Sequence, residues 1–142
     1  MEDGFVPAAS ADRWALSNPP VLALAPLRMS LELFARAGVG VRQAKSRLLT
    51  GFLEYLLKGA SGGGVRIITP QPGAGPMPAR GCQLSLRVVG EGERSARGVL
   101  NRLKREGVVC DFREPDVIRA APVPLYNSFE DVWRLGSVLR GA

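Results

Sequence analysis

One arginine near the end of the chain, Arg119, has the setting of a carboxylate-binding group. It stands between the apolar residues Ile118 and Ala120 in a short predicted strand, and a proline-rich segment follows. A guanidinium beside an apolar wall can hold a carboxylate through two parallel hydrogen bonds, because its planar donors match the two carboxylate oxygens. The alternative is a strand-end arginine paired with a local acid such as Asp116.

Other chemistry-bearing residue types are scarce. The chain has no histidine, so a mechanism that uses an imidazole base or ligand must take it from elsewhere. Lys45, Lys58 and Lys104 all fall in helical patterns, and none follows a phosphate-binding sequence. Cys82 and Cys110 are too few and too far apart for a zinc site, and we expect both to be structural thiols. The sequence therefore predicts no catalytic residue and no metal site.

The charge balance is basic, with a formal net charge of +6. Such a balance can indicate binding to nucleic acid or to an acidic membrane. The arginines, however, are spread along the whole chain, and only Arg102, Lys104 and Arg105 form a cluster. No apolar run is long enough to span a bilayer, and the N-terminus lacks the basic start of a secretory signal. We expect a cytoplasmic protein with neither a nucleic-acid nor a membrane partner.

Apolar periodicity and turn residues predict four helices and four strands. The helices cover residues 21–37, 42–58, 93–106 and a last segment capped by Ser128; the strands cover 65–68, 81–89, 108–110 and 117–120, with a proline-glycine loop at 69–80. This order is typical of an α+β fold, a small, mostly antiparallel sheet covered by helices on one face.

The first helix is expected to bend at Pro26 and to be buried on several sides, because its apolar residues cover more than one stripe. Gly38 and Gly40 are expected to separate it from the second helix. We divide the chain into residues 1–37, an interface segment with the long helix, and residues 38–142, a small C-terminal domain.

Four segments of the chain resemble kynureninase. They are LSNPPVLALAPLRMSLELF (16–34), KSRLLTGFLEYLL (45–57), RGCQLSL (80–86) and GVVCDFREPDVIRAAPVPLYNSFEDV (107–132). The last segment is the most specific, and the four occur in the family's order and near its spacings. The resemblance implies the small C-terminal domain of a fold-type-I enzyme dependent on pyridoxal 5′-phosphate (PLP).

The resemblance also implies an activity for the intact enzyme. Kynureninase is a hydrolase that cleaves L-kynurenine to anthranilate and L-alanine, in tryptophan catabolism by the kynurenine pathway and in NAD biosynthesis. The implied substrate is L-kynurenine or 3-hydroxykynurenine, the implied cofactor is PLP, and the implied assembly is a homodimer.

Two residues match functional positions of the family. Arg119 matches the arginine that binds the α-carboxylate of the substrate. Asn18 matches the asparagine near the cofactor phosphate, contributed across the dimer interface. The alternative for Asn18 is a helix cap, since Asn-Pro-Pro is a common helix start.

The family's large domain has no counterpart in this sequence. That domain supplies the lysine that binds PLP covalently and the aspartate that faces the pyridine nitrogen, and so it holds most of the cofactor. Met1 matches an internal methionine of the family. We therefore expect the chain to be the C-terminal part of an enzyme and to be inactive alone.

Two other functions stay open at this point. Another PLP enzyme, such as a cysteine desulfurase or an aminotransferase, would also place an arginine before a Tyr-Asn turn, although RGCQLSL and APVPLYNSF favour kynureninase. A non-enzymatic basic binding module would expose aromatic residues on its sheet, and the predicted strand region offers only Phe112.

Overall fold

The computed structural model of the chain describes residues 6–15, 17–58, 64–70 and 80–141. Its helices are α1 (Val21–Ala37), α2 (Val39–Lys58), α3 (Ala96–Arg105) and α4 (Phe129–Arg140). Its strands are β1 (Val65–Ile67), β2 (Leu84–Val88), β3 (Asp111–Arg113) and β4 (Val117–Ala120). The chain separates into two compact units, Met1–Val39 and Gly40–Ala142. The predicted loop at 69–80 lies mostly outside the described residues.

The four strands form one antiparallel sheet in the order β1-β2-β4-β3. Side chains alternate between the two faces of a strand, and along β2 and β4 every second residue is buried. The α+β prediction is confirmed.

Helices α2, α3 and α4 cover the buried face of the sheet, and their apolar side chains join those of the strands in one core. The buried members are Leu49, Leu53, Leu56 and Leu57 from α2, Val99, Leu100 and Leu103 from α3, Val132, Leu135 and Leu139 from α4, and Leu84, Leu86, Val88, Ile118 and Ala120 from the strands. Phe52 of α2 also meets Phe129 of α4 edge to face, with ring centroids 5.8 Å apart. The core fixes which face of the sheet is left open in this unit.

The first helix has the predicted bounds but not the predicted burial. No residue of α1 is buried, and Leu22 keeps 91% of its surface exposed. The expectation of burial on several sides is therefore wrong for this chain, because no described residue of the Met1–Val39 unit covers this helix. Gly38, at φ 74°, ends it in a conformation that favours glycine, whereas Gly40 lies inside α2, which begins three residues before the predicted start at residue 42.

The boundaries around α3 also differ from the prediction. Ser95 caps α3 by accepting a hydrogen bond from Gly98 N at 3.2 Å, so the helix starts at residue 96 and not at 93. At its other end Val108 N donates to Leu103 O at 2.8 Å, which closes the helix with Gly107 at φ 74°. The predicted strand at 108–110 is wrong because this closure uses its first residue, and pairing begins only at Asp111.

A buried ion pair joins α2 to the segment that leads into β2. Arg80 Nη1 donates to Glu54 Oε1 at 2.6 Å, and the two side chains are only 7% and 10% exposed. The hydrogen bond from the guanidinium to Glu54 raises the pKa of Arg80 above its ordinary value. Arg80 opens the RGCQLSL segment, and the pair ties this segment to the core helix.

Replacing Glu54 by glutamine is expected to lower the free energy of unfolding by about 3 kcal/mol, because it removes the one acid that pairs with the buried Arg80 charge among the described residues. The matched control is Glu114→Gln, which removes an acid from the exposed pair with Arg97 and is expected to cost less than about 0.5 kcal/mol. Urea unfolding of the two variants measures both values. Equal stability of the two variants would contradict the assignment of Glu54 to the core.

Candidate functional site

The open face of the sheet in the Gly40–Ala142 unit is rich in arginine. The side chains that alternate away from the core include four arginines, which are Arg66, Arg87, Arg113 and Arg119. Two aspartates, Asp111 and Asp116, accompany them. This face contains the arginine that the sequence singled out.

Arg119 lies directly opposite Asp111 in the antiparallel pairing of β3 and β4. Both Nε and Nη2 of Arg119 contact Oδ2 of Asp111. Asp116, the acid named from the sequence as a local partner, instead meets Nε of Arg87 at 3.3 Å. The alternative named from the sequence, an arginine paired with a local acid, is therefore present, but the acid is Asp111 and not Asp116, which stands in the turn beside β2.

Asp111 is held as a carboxylate by two cations. Its Oδ2 also accepts a hydrogen bond from Nε of Arg113 at 3.0 Å. The hydrogen bond from Arg119 is the main cause that lowers the pKa of Asp111, and Arg113 lowers it further. Asp111 therefore carries a full negative charge at neutral pH, while the three side chains together remain positive.

The contact with Asp111 uses one edge of the Arg119 guanidinium and leaves its other edge available for a ligand. A guanidinium has five N–H donors, and the edge formed by Nε and Nη2 is the one turned to Asp111. Among the described residues, no hydrogen bond involves Nη1. The side chain is 31% exposed. The end of the guanidinium can therefore still donate hydrogen bonds to a second carboxylate.

Asn18 lies in the Met1–Val39 unit, in the extended segment that precedes α1, and is exposed. The N-cap of α1 is Pro20, and no side chain of the residues that the structure describes caps this helix. The alternative interpretation of Asn18 as a helix cap is therefore wrong. Within the described part of the chain its amide forms no hydrogen bond, which leaves it available to a ligand.

A cleft of about 450 Å³ opens next to the residue that follows Arg119. Its lining includes Cys110, Ala120, Asn127 and Asp131. Asn127 Oδ1 accepts from Val123 N at 2.9 Å, and Asp131 completes the capping box of α4, so both polar groups serve local structure. Burial raises the pKa of Cys110 to about 11, so its thiol is neutral and a poor nucleophile.

Asp111 was not predicted from the sequence, although a signal for it exists. Asp111 and Arg119 are equally far from Pro115, the centre of the turn between β3 and β4. A hairpin folded about Pro115 would have placed them opposite each other. The signal was lost because the strand was predicted three residues too early.

The strands present no aromatic residue to the open face in the described ranges. Phe112 packs against the core, and the guanidinium carbon of Arg97 lies 5.1 Å from its ring centroid. A nucleic-acid surface that stacks bases needs aromatic residues on the open side. The alternative of a non-enzymatic binding module therefore has no support in the sheet.

These observations define a small α+β domain with a basic open face, and comparisons with known proteins identify the family. The family model described as the kynureninase C-terminal domain matches residues 42–139. The kynureninase of Myxococcus xanthus (strain DK1622) is 52% identical over 141 residues, which is 99% of this chain and 31% of that protein. The kynureninase of Xanthomonas oryzae pv. oryzae (strain PXO99A) is 54% identical over 132 residues, 93% of this chain and 30% of that protein.

The chain belongs to the kynureninase family and contains its C-terminal domain. It spans about 30% of the length of the curated relatives it matches. Among the described residues, no helix is both long and apolar enough to cross a membrane.

Proposed function

We propose that this chain supplies the carboxylate-binding arginine of a kynureninase, a hydrolase that converts L-kynurenine and water to anthranilate and L-alanine. In this proposal Arg119 binds the α-carboxylate of L-kynurenine or 3-hydroxykynurenine. The observation that supports the proposal best is the free end of the Arg119 guanidinium on a positively charged, open sheet face. We further propose that the intact enzyme is a cytoplasmic homodimer.

Arg119 suits this task because a guanidinium can both bind the substrate carboxylate and fix its orientation. Two parallel hydrogen bonds to the carboxylate fix both the position and the rotation of the amino acid, which a single ammonium group cannot do. A substrate held in this way presents its Cα in a constant position, so the bond to be broken is aligned before the reaction starts. In kynurenine that bond is the one between Cβ and the carbonyl carbon Cγ.

The rest of the enzyme is expected to cover surfaces that this chain leaves bare. The apolar residues of α1 are exposed along its length, among them Leu22, Met29 and Leu31. An apolar surface of this kind is unusual on a protein that acts alone. Because the chain spans about 30% of its relatives, we propose that α1 packs against the part of the enzyme that this chain does not include.

This chain offers few residues that could bind PLP. When bound, PLP would supply the electron sink for cleavage of the carbon–carbon bond between Cβ and Cγ. The amide of Asn18 forms no hydrogen bond among the described residues and could bind the cofactor. Lys45, Lys58 and Lys104 stand on helices, and none follows a phosphate-binding sequence. We propose that Asn18 donates to the cofactor phosphate across the dimer interface and that the remaining contacts come from the part outside this chain.

The arginine is tested in a fusion enzyme, in which this chain replaces the matching 141-residue segment of the Myxococcus xanthus kynureninase. In the fusion enzyme Arg119→Lys keeps the charge but loses the paired donors, and we expect kcat/KM for L-kynurenine to fall by about 100-fold. PLP absorbance should be unchanged. Arg66→Lys, a change of the same kind at the far strand of the open face, is the control. Near-normal kinetics of Arg119→Lys would refute the proposed role.

The role of Asn18 is tested by PLP retention in the same fusion enzyme. Asn18→Ala removes one donor to a charged phosphate, and we expect PLP to be lost about tenfold more readily on dialysis. The melting temperature of the isolated chain should not change, because Asn18 caps no helix. Ser17→Ala is the neighbouring control. Unchanged PLP retention would remove Asn18 from the cofactor site.

A further inference from the structure

Arg119 needs a fixed orientation to bind a carboxylate, and an arginine on an open sheet face does not have one by default. A free arginine side chain samples many rotamers, and a ligand that must fix it in one of them binds more weakly because of the conformational entropy lost on binding. The described residues around Arg119 contain one group that removes this freedom in advance. That group is the Asp111 carboxylate on the neighbouring strand.

We infer that Asp111 is a positioning residue for the carboxylate site, acting through Arg119 and not on the substrate itself. This inference rests on the proposed role of Arg119. Its basis is the edge-on contact, in which Nε and Nη2 of Arg119 meet one oxygen of Asp111. That contact sets the plane of the guanidinium and turns the opposite end, with Nη1, away from Asp111.

The contact is built into the backbone of the sheet. Asp111 and Arg119 are direct cross-strand partners in the β3–β4 pairing, so their Cβ atoms are neighbours on one face whatever their side chains do. Their register is fixed by burial, because Phe112 and Ile118 form the next pair and face the core. A shift of the register would expose those apolar residues.

Asp111 can hold Arg119 without cancelling the attraction for a substrate carboxylate. A lone aspartate would neutralise the arginine, but Arg113 Nε donates to the same Asp111 oxygen at 3.0 Å. The group of Arg113, Asp111 and Arg119 therefore keeps one net positive charge. Asp111 competes for one edge of the guanidinium only, and a second carboxylate can bind the end while Asp111 stays in place.

The experiment compares Asp111→Asn with Asp116→Asn in the fusion enzyme. Both changes remove one negative charge beside the open face, but Asp116 pairs with Arg87 and does not touch Arg119. We expect Asp111→Asn to raise KM for L-kynurenine about three- to tenfold, as loss of one immobilised side chain predicts, with kcat nearly unchanged. Asp116→Asn should leave both constants as they are, and Asp111→Glu should recover part of the loss.

A second measurement uses the chain by itself and needs no cofactor. Nitrogen-15 relaxation of the Arg119 Nε–H group should report restricted motion in the unaltered chain and in Asp116→Asn, and fast motion in Asp111→Asn. A purely structural role of Asp111 would lower the melting temperature without this selective change at Arg119.

The outcomes separate this inference from the proposed function. If Arg119→Lys impairs the fusion enzyme while Asp111→Asn leaves KM unchanged or lower, the role of Arg119 stands and that of Asp111 is refuted. If neither variant changes the kinetics, the carboxylate is bound elsewhere and both ideas fail. Equal mobility of Arg119 Nε–H in the two aspartate variants would also refute the positioning role.

Discussion

The pairing of β3 with β4 and of β4 with β2 determines the rest of this domain. Because side chains alternate along a strand, the register that buries Leu86 and Ile118 beneath the helices also turns Ser85, Arg119 and Asp111 to the open face. A slip of one residue would bury Arg119 and expose Ile118, and both changes are unfavourable. The hydrophobic core thus fixes the position of the polar site, although the two share no side chain.

The same constraint explains why the side chain of Arg119 has a defined position in this small domain. Arg119 stands on a strand whose neighbours on both sides are paired, and not in a flexible loop. The buried Glu54–Arg80 ion pair ties the segment before β2 to α2, and Ser128 with Asp131 fixes the start of α4. These contacts fix the positions of the helices around the sheet, and Asp111 contacts the guanidinium of Arg119 on its open face.

Much of this arrangement could be predicted from the sequence, and the failures have physical causes. The periodicity of apolar residues gave the bounds of α1 and β4 correctly, since both signals are local. The strand at 108–110 was misplaced because the closure of α3 depends on Val108 bonding back to Leu103, which periodicity does not report. Asp111 was missed for that reason, because a cross-strand partner is known only once the register is known.

The prediction that α1 is buried was wrong for another reason. Its apolar residues predict an interior helix, yet none is buried in this chain. This chain spans about 30% of the relatives it matches, and the proposed packing of α1 against the part that it does not include would account for the apolar pattern. Asn18 also has a sequence context that is typical of a cap, but the structure gives it no capping hydrogen bond among the described residues.

The most direct test of this account is a crystal structure of the fusion enzyme with PLP and a non-cleavable kynurenine analogue bound. The distances to measure are those from the Arg119 nitrogens to the analogue's α-carboxylate and to Asp111. We expect Nη1 and Nη2 to lie within hydrogen-bonding distance of the carboxylate while Nε still donates to Asp111. A carboxylate bound by other residues, with the open sheet face empty, would contradict it.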